Sequence, residues 1–187
     1  MNVVTEKIKM LCADKNISVE ELAEGSGLTT EQVNLIIGSE KIPSLAPLIK
    51  IARALGVRLG TFLDDSEDLG PVINRKHDSS QSVTFSSQLT DNNSHMDFFS
   101  LAARKTGRHM EPFIINMKAA DDGKNTSSHE GEEFLYVLEG TIVVHYGAEK
   151  YELNEGDSIY YDSIVNHLVA SANGSPAKIL GIVYSPM

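Results

Sequence analysis

A chain of 187 residues with a formal net charge of −10 and one cysteine, Cys12, has room for one full core and a smaller second one. A lone cysteine excludes an internal disulfide, the lack of a long apolar run excludes a membrane span, and the acidic balance excludes broad nonspecific affinity for nucleic acid. Residues 1–63 carry seven basic and seven acidic side chains, so the whole acidic excess lies beyond them.

The first segment reads as five short helices. Val4, Ile8, Leu11 and Cys12 recur at helical spacing. Ser18-Val19-Glu20-Glu21 is a capping box followed by Leu22 and Ala23, and Gly27 makes a turn. Thr29-Thr30-Glu31-Gln32 is a second capping box that opens a helix with Val33 and Ile36 inward. Pro43-Ser44 starts a fourth helix carrying Leu48, Ile51, Ala52 and Leu55, stopped by Gly56; Leu59, Phe62 and Leu63 close the unit. Helix, tight Gly-centred turn, helix is the helix-turn-helix pattern.

These residues resemble the phage-repressor and xenobiotic-response-element (Cro/CI, XRE) family. The match runs through Glu21-Leu22-Ala23, Ser26-Gly27-Leu28, Ile42-Pro43-Ser44 and Ile51 to Val57. The resemblance implies a helix lying in the major groove of a double-stranded operator. Thr29, Thr30, Gln32 and Asn34 would then meet DNA, and Lys41 a phosphate. Leu35, Ile37, Gly38 and Ser39 stand where the family often carries polar or basic residues, and Val19 stands where a glutamine is common. In a non-DNA-binding version of the unit, Leu35 and Ile37 would pack instead.

Asp64-Asp65-Ser66-Glu67-Asp68, with Gly70-Pro71 behind it, reads as a solvated spacer. The expected domain limits are 1–66 for the helical domain, 67–80 for the linker and 81–187 for a second domain. From Ser82 the pattern turns to strands: Val83–Phe85, Met96–Ala103, Pro112–Met117, Phe134–Tyr146, Ser158–Tyr161, His167–Ala170 and Ile179–Tyr184. Short β-branched runs between Gly, Asn and Asp turns predict a barrel or sandwich. Arg104, Lys105 and Arg108 read as a solvated basic edge, and His145 as a structural histidine.

His129 and Glu133 lie at i and i+4, with His167 well downstream; two imidazoles and one carboxylate can cap one face of a divalent metal and leave three positions open. The same residues also make a polar pocket for an organic ligand without metal. Gly123, His129, Glu133 and Gly140, then Gly156, Asp157 and His167, resemble the two motifs of the cupin family. Ser127 occupies the place of that family's first histidine. The resemblance implies a jelly-roll β-barrel in which His129, Glu133 and His167 converge on iron, manganese, nickel or zinc. Ser127, Tyr136 and Tyr161, with Tyr160, are candidates to line the pocket; the alternative for the three tyrosines is packing within strands.

The expected fold is therefore α + β in two domains, a five-helix helix-turn-helix domain and a C-terminal cupin jelly roll. This architecture resembles the bacterial XRE–cupin regulators, which implies a cytoplasmic, DNA-binding homodimer or higher oligomer that senses a small-molecule effector and has no membrane partner. It also resembles the hydroxypropylphosphonate epoxidases, which implies the alternative of a mononuclear non-haem iron enzyme whose helical domain no longer binds DNA. No signal-peptide apolar core opens the chain, in keeping with a cytoplasmic location.

Overall fold

The computed structural model describes residues 2–63, 71–75, 96–105, 107–119 and 126–186. Five helices come first: α1 (Val3–Lys15), α2 (Val19–Ser26), α3 (Thr30–Gly38), α4 (Leu45–Ala54) and α5 (Gly60–Leu63). Their ends follow from local chemistry. The Asn2 side chain accepts from the Thr5 N–H at 2.9 Å and starts α1, and Asn16 closes it in the left-handed region at φ 53°. Both capping boxes form: Ser18 with Glu21 at α2, and Thr29 with Gln32 at α3. Pro47 sits in the first turn of α4, where its missing N–H would have had no helical partner. The faces of these helices close on one core. Ile8, Leu22, Val33, Ile36, Leu48, Ile51, Leu55 and Phe62 are all essentially buried. Each such side chain contributes about 1.5–3 kcal/mol of burial.

The second domain is an antiparallel double sheet. Its strands are β1 (Met96–Ser100), β2 (Met110–Met117), β3 (Glu132–Glu139), β4 (Thr141–Tyr146), β5 (Glu149–Asn154), β6 (Ser158–Asp162), β7 (His167–Ser171) and β8 (Ala177–Tyr184). One sheet runs β1-β2-β8-β3-β6 and the other β5-β4-β7. Period-two alternation sends Phe113, Ile115 and Met117 of β2 inward, with Leu135 and Val137 of β3 and Ile179 and Val183 of β8. Ile142 and Val144 come to the same core from the other sheet.

Several expectations are corrected by detail. The apolar run Phe134–Tyr146 is two strands, divided at Gly140, which takes φ 82°. A β-carbon there would lie 2.8 Å from the Pro176 carbonyl oxygen. β5 went unread because five of its six residues are exposed, leaving no apolar alternation to see. Arg108 is not part of a solvated edge: it is buried and pairs with Glu111 at 2.7 Å. The expected strand Val83–Phe85, the acidic run 64–68 and Gly123 lie outside the described residues. Among the described residues no helix is long and apolar enough to cross a membrane.

Candidate functional site

Three separate elements deliver the predicted ligand set. His129 lies in the loop before β3, where its N–H donates to the Ser163 carbonyl at 3.0 Å. Glu133 belongs to β3 and points inward with Leu135 and Val137. His167 opens β7. Ser127 and His167 are locked by two backbone hydrogen bonds: Ser127 N–H donates to the His167 carbonyl at 2.8 Å, and His167 N–H returns one at 2.9 Å.

The side chains converge. His129 Nε2 lies 2.8 Å from Glu133 Oε1, and His167 Nε2 lies 3.3 Å from the same oxygen. Potential ligand atoms from all three residues lie within 4.8 Å of one another, and all three residues are buried. The two imidazoles stand nearly perpendicular, their centroids 5.4 Å apart. His129 Nδ1 is 3.1 Å from the Glu130 carbonyl oxygen, and His167 Nδ1 is 2.9 Å from the Val165 carbonyl oxygen. A carbonyl only accepts, so each Nδ1 carries the hydrogen. In the neutral ring that turns the Nε2 lone pair toward the cluster, the tautomer a metal requires. The residues present therefore fit a divalent cation held by His129 Nε2, Glu133 and His167 Nε2. A 2-His-1-carboxylate set suits iron(II) chemistry in particular.

Supporting groups surround Glu133. Tyr161 pairs with it across β3 and β6 and donates its hydroxyl to Glu133 Oε2 at 2.7 Å. Ser163, fully buried, donates to Oε1 at 3.3 Å. Burial pushes the Glu133 carboxyl up, but hydrogen bonds and charges from His129 and His167 outweigh it and hold the group well below the usual carboxylate range. Burial pulls His167 down; the Glu133 hydrogen bond and charge, then the Val165 carbonyl, lift it above its ordinary value. Burial, then the neighbouring Glu133 charge, drives the Tyr161 phenol upward, so it stays protonated.

The other predicted pocket residues divide. Ser127 Oγ stands 3.1 Å from His167 Nε2, at the edge of the cluster. Tyr161 belongs to it. Tyr136 does not: it alternates out of phase with Glu133, Leu135 and Val137 and is 37% exposed on the outer face of β3. Ser163 was missed, because nothing in an isolated serine between strands marks it as a partner of a distant glutamate.

On the helical domain, α2, the turn at Gly27 and α3 form the expected unit. Thr29, Thr30, Asn34 and Lys41 are exposed. Gln32 is half-buried, and its Oε1 accepts from the Thr29 N–H at 2.9 Å, so its side chain is engaged in the capping box. Leu35 is 50% exposed and joins no core among the described residues; Ile37 packs against the core.

The sequence matches two family models, a Cro/C1-type HTH DNA-binding domain over residues 7–68 and a cupin domain over residues 113–183. The HTH-type transcriptional regulator SutR of Escherichia coli is 22% identical over 180 residues, covering 96% of this chain and 93% of that protein. The (S)-2-hydroxypropylphosphonic acid epoxidase of Streptomyces wedmorensis is 27% identical over 150 residues, covering 74% and 73%. An HTH_3 family transcriptional regulator from Vibrio cholerae has a crystal structure similar at a TM-score of 0.72, with 23% identity, over 98% of this chain and 96% of that one.

Proposed function

We propose that this chain, a Cro/C1-type helix-turn-helix DNA-binding domain joined to a cupin domain, is a transcriptional regulator whose barrel senses a small molecule. The observation that carries the reading is the outer face of α3. Thr30, Asn34 and Leu35 are exposed there, with exposed Thr29 and Lys41 at either end. Asparagine suits an adenine edge, threonine a phosphate or base, and leucine a thymine methyl. The similarity to SutR over nearly the whole chain supports the same reading.

In this reading the barrel holds a divalent metal through His129, Glu133 and His167. Iron, manganese, nickel and zinc are all compatible with the donor set. The chain acts as a homodimer on a two-fold operator. A helical unit of balanced charge binds one half-site weakly, and pairing two raises the effective concentration. Its place is the cytoplasm, where the DNA is.

A second reading, iron-dependent oxidation, rests on the same three side chains and on the likeness to the epoxidase. One experiment separates the two. Metal content is measured on the purified full chain, and bound genomic fragments are recovered and sequenced, for wild type and Glu133→Ala. A regulator enriches discrete inverted repeats, and Glu133→Ala loses metal while keeping them. Iron without any enriched DNA overturns the regulator reading. A monomer by light scattering at micromolar concentration overturns the dimer.

A further inference from the structure

We propose that the cleft between α4 and the His129 loop is the effector site, and that the effector it takes is a small organic anion. The proposal rests on the regulator reading and gives its effector a chemical class. The cleft is lined by Ile49, Lys50 and Arg53 of the helical domain and by His129, Glu130 and Ile164 of the barrel. Its volume is about 160 Å³, similar to that of a cavity that holds a molecule of about six heavy atoms.

The charges decide the ligand. Arg53 Nη1 lies 2.8 Å from Glu130 Oε1 and ties the two domains together. Lys50, one helical turn before it, is half-buried and meets no carboxylate among the described residues. Among the described residues the cleft therefore holds two cations against one anion, on a protein of net charge −10. A half-buried ammonium with no counter-ion among the described residues favours an incoming carboxylate or phosphonate, because burial weakens its hydration and strengthens the pair.

One residue of the cleft touches both domains. Glu130 holds Arg53 with its side chain and faces His129 Nδ1 with its carbonyl, at 3.1 Å. An anion seated on Lys50 competes with the Glu130 carboxylate for Arg53. Its binding weakens this exposed bridge between the helical domain and the barrel and moves the residue next to His129. DNA and anion then change each other's affinity by the same factor.

The test uses the full chain and four probes at millimolar concentration: succinate, acetate, methylphosphonate and, as a neutral control, butane-1,4-diol. Calorimetry on wild type should show at least one anion binding and the diol silent. Lys50→Gln should weaken that anion by roughly ten-fold or more, the loss of one charge-assisted hydrogen bond. Glu130→Gln should tighten it by removing the competitor, and Lys41→Gln, on the DNA side, should leave it unchanged. No anion binding, or binding indifferent to Lys50→Gln, overturns the site. DNA affinity is measured on the same preparations. DNA binding with no Lys50-dependent anion sinks the cleft and leaves the regulator reading standing. A Lys50-dependent anion with no DNA binding sinks the regulator reading and leaves the cleft as an anion site.

Discussion

Tyr161 donates its hydroxyl to Glu133 Oε2 at 2.7 Å, across the paired strands β3 and β6. The phenol is buried and stays protonated, so the bond runs one way and holds the carboxylate with its other oxygen toward the two histidines. Removing the hydroxyl should cost metal affinity without disturbing the barrel. Tyr161→Phe should weaken divalent metal by about 10- to 100-fold, the usual effect of losing an outer partner of a metal ligand. Competition against a chromophoric chelator measures it, and an unchanged affinity would show that Tyr161 only packs.

Metal-free stability should peak in mildly acidic solution. The depressed Glu133 contributes stability that is present above its ordinary 4.5 and lost as pH falls through its lower folded value. The raised His167 contributes stability that is complete below 6.5 and lost as pH rises through its higher folded value. Both act together between those two values. Added metal should abolish the alkaline loss, since it takes the place of the proton and needs the neutral ring. Calorimetric melting with and without chelator across pH reads this directly; parallel curves would count against it.

Base readout and phosphate contact should separate on α3 and the turn after it. Asn34→Ala should cost about 1–3 kcal/mol at the specific site and little elsewhere. Lys41→Ala should weaken all sequences alike and reduce the salt slope by about one. Gln32→Ala should cost specific binding too, but it also removes the capping box, so melting must be recorded beside the DNA titration. Equal affinity for enriched and random DNA in all three variants would refute the interface.

Gly131 should be intolerant of any side chain. It takes φ 111° between His129 and Glu133, and a β-carbon there would collide with the carbonyl oxygen of Tyr184. Gly131→Ala should destabilise the barrel by about 1–3 kcal/mol or more from backbone strain, and should loosen the metal site with it. A variant that melts like wild type would show that the loop relocates freely.

The sequence was most legible where one residue's chemistry is local. The capping pairs Ser18–Glu21 and Thr29–Gln32 each need only four consecutive residues, and both form. His129, Glu133 and His167 were legible through their family spacing, although their convergence is a long-range fact. Tyr136 was misplaced because a tyrosine in a strand does not announce which face it takes; the phase is set by Glu133, an odd number of residues away. β5 was invisible because its partner β4 buries for both. Nothing local to Arg53 or Glu130 foretells their bridge, since only the packing of one domain on the other brings them together.

The reciprocal backbone bonds between Ser127 and His167 hold position 127 beside the cluster whatever side chain it carries. That makes it a tuning point for evolution. An imidazole in place of that hydroxyl would add a fourth candidate ligand to His129, Glu133 and His167 and close one of the positions they leave open.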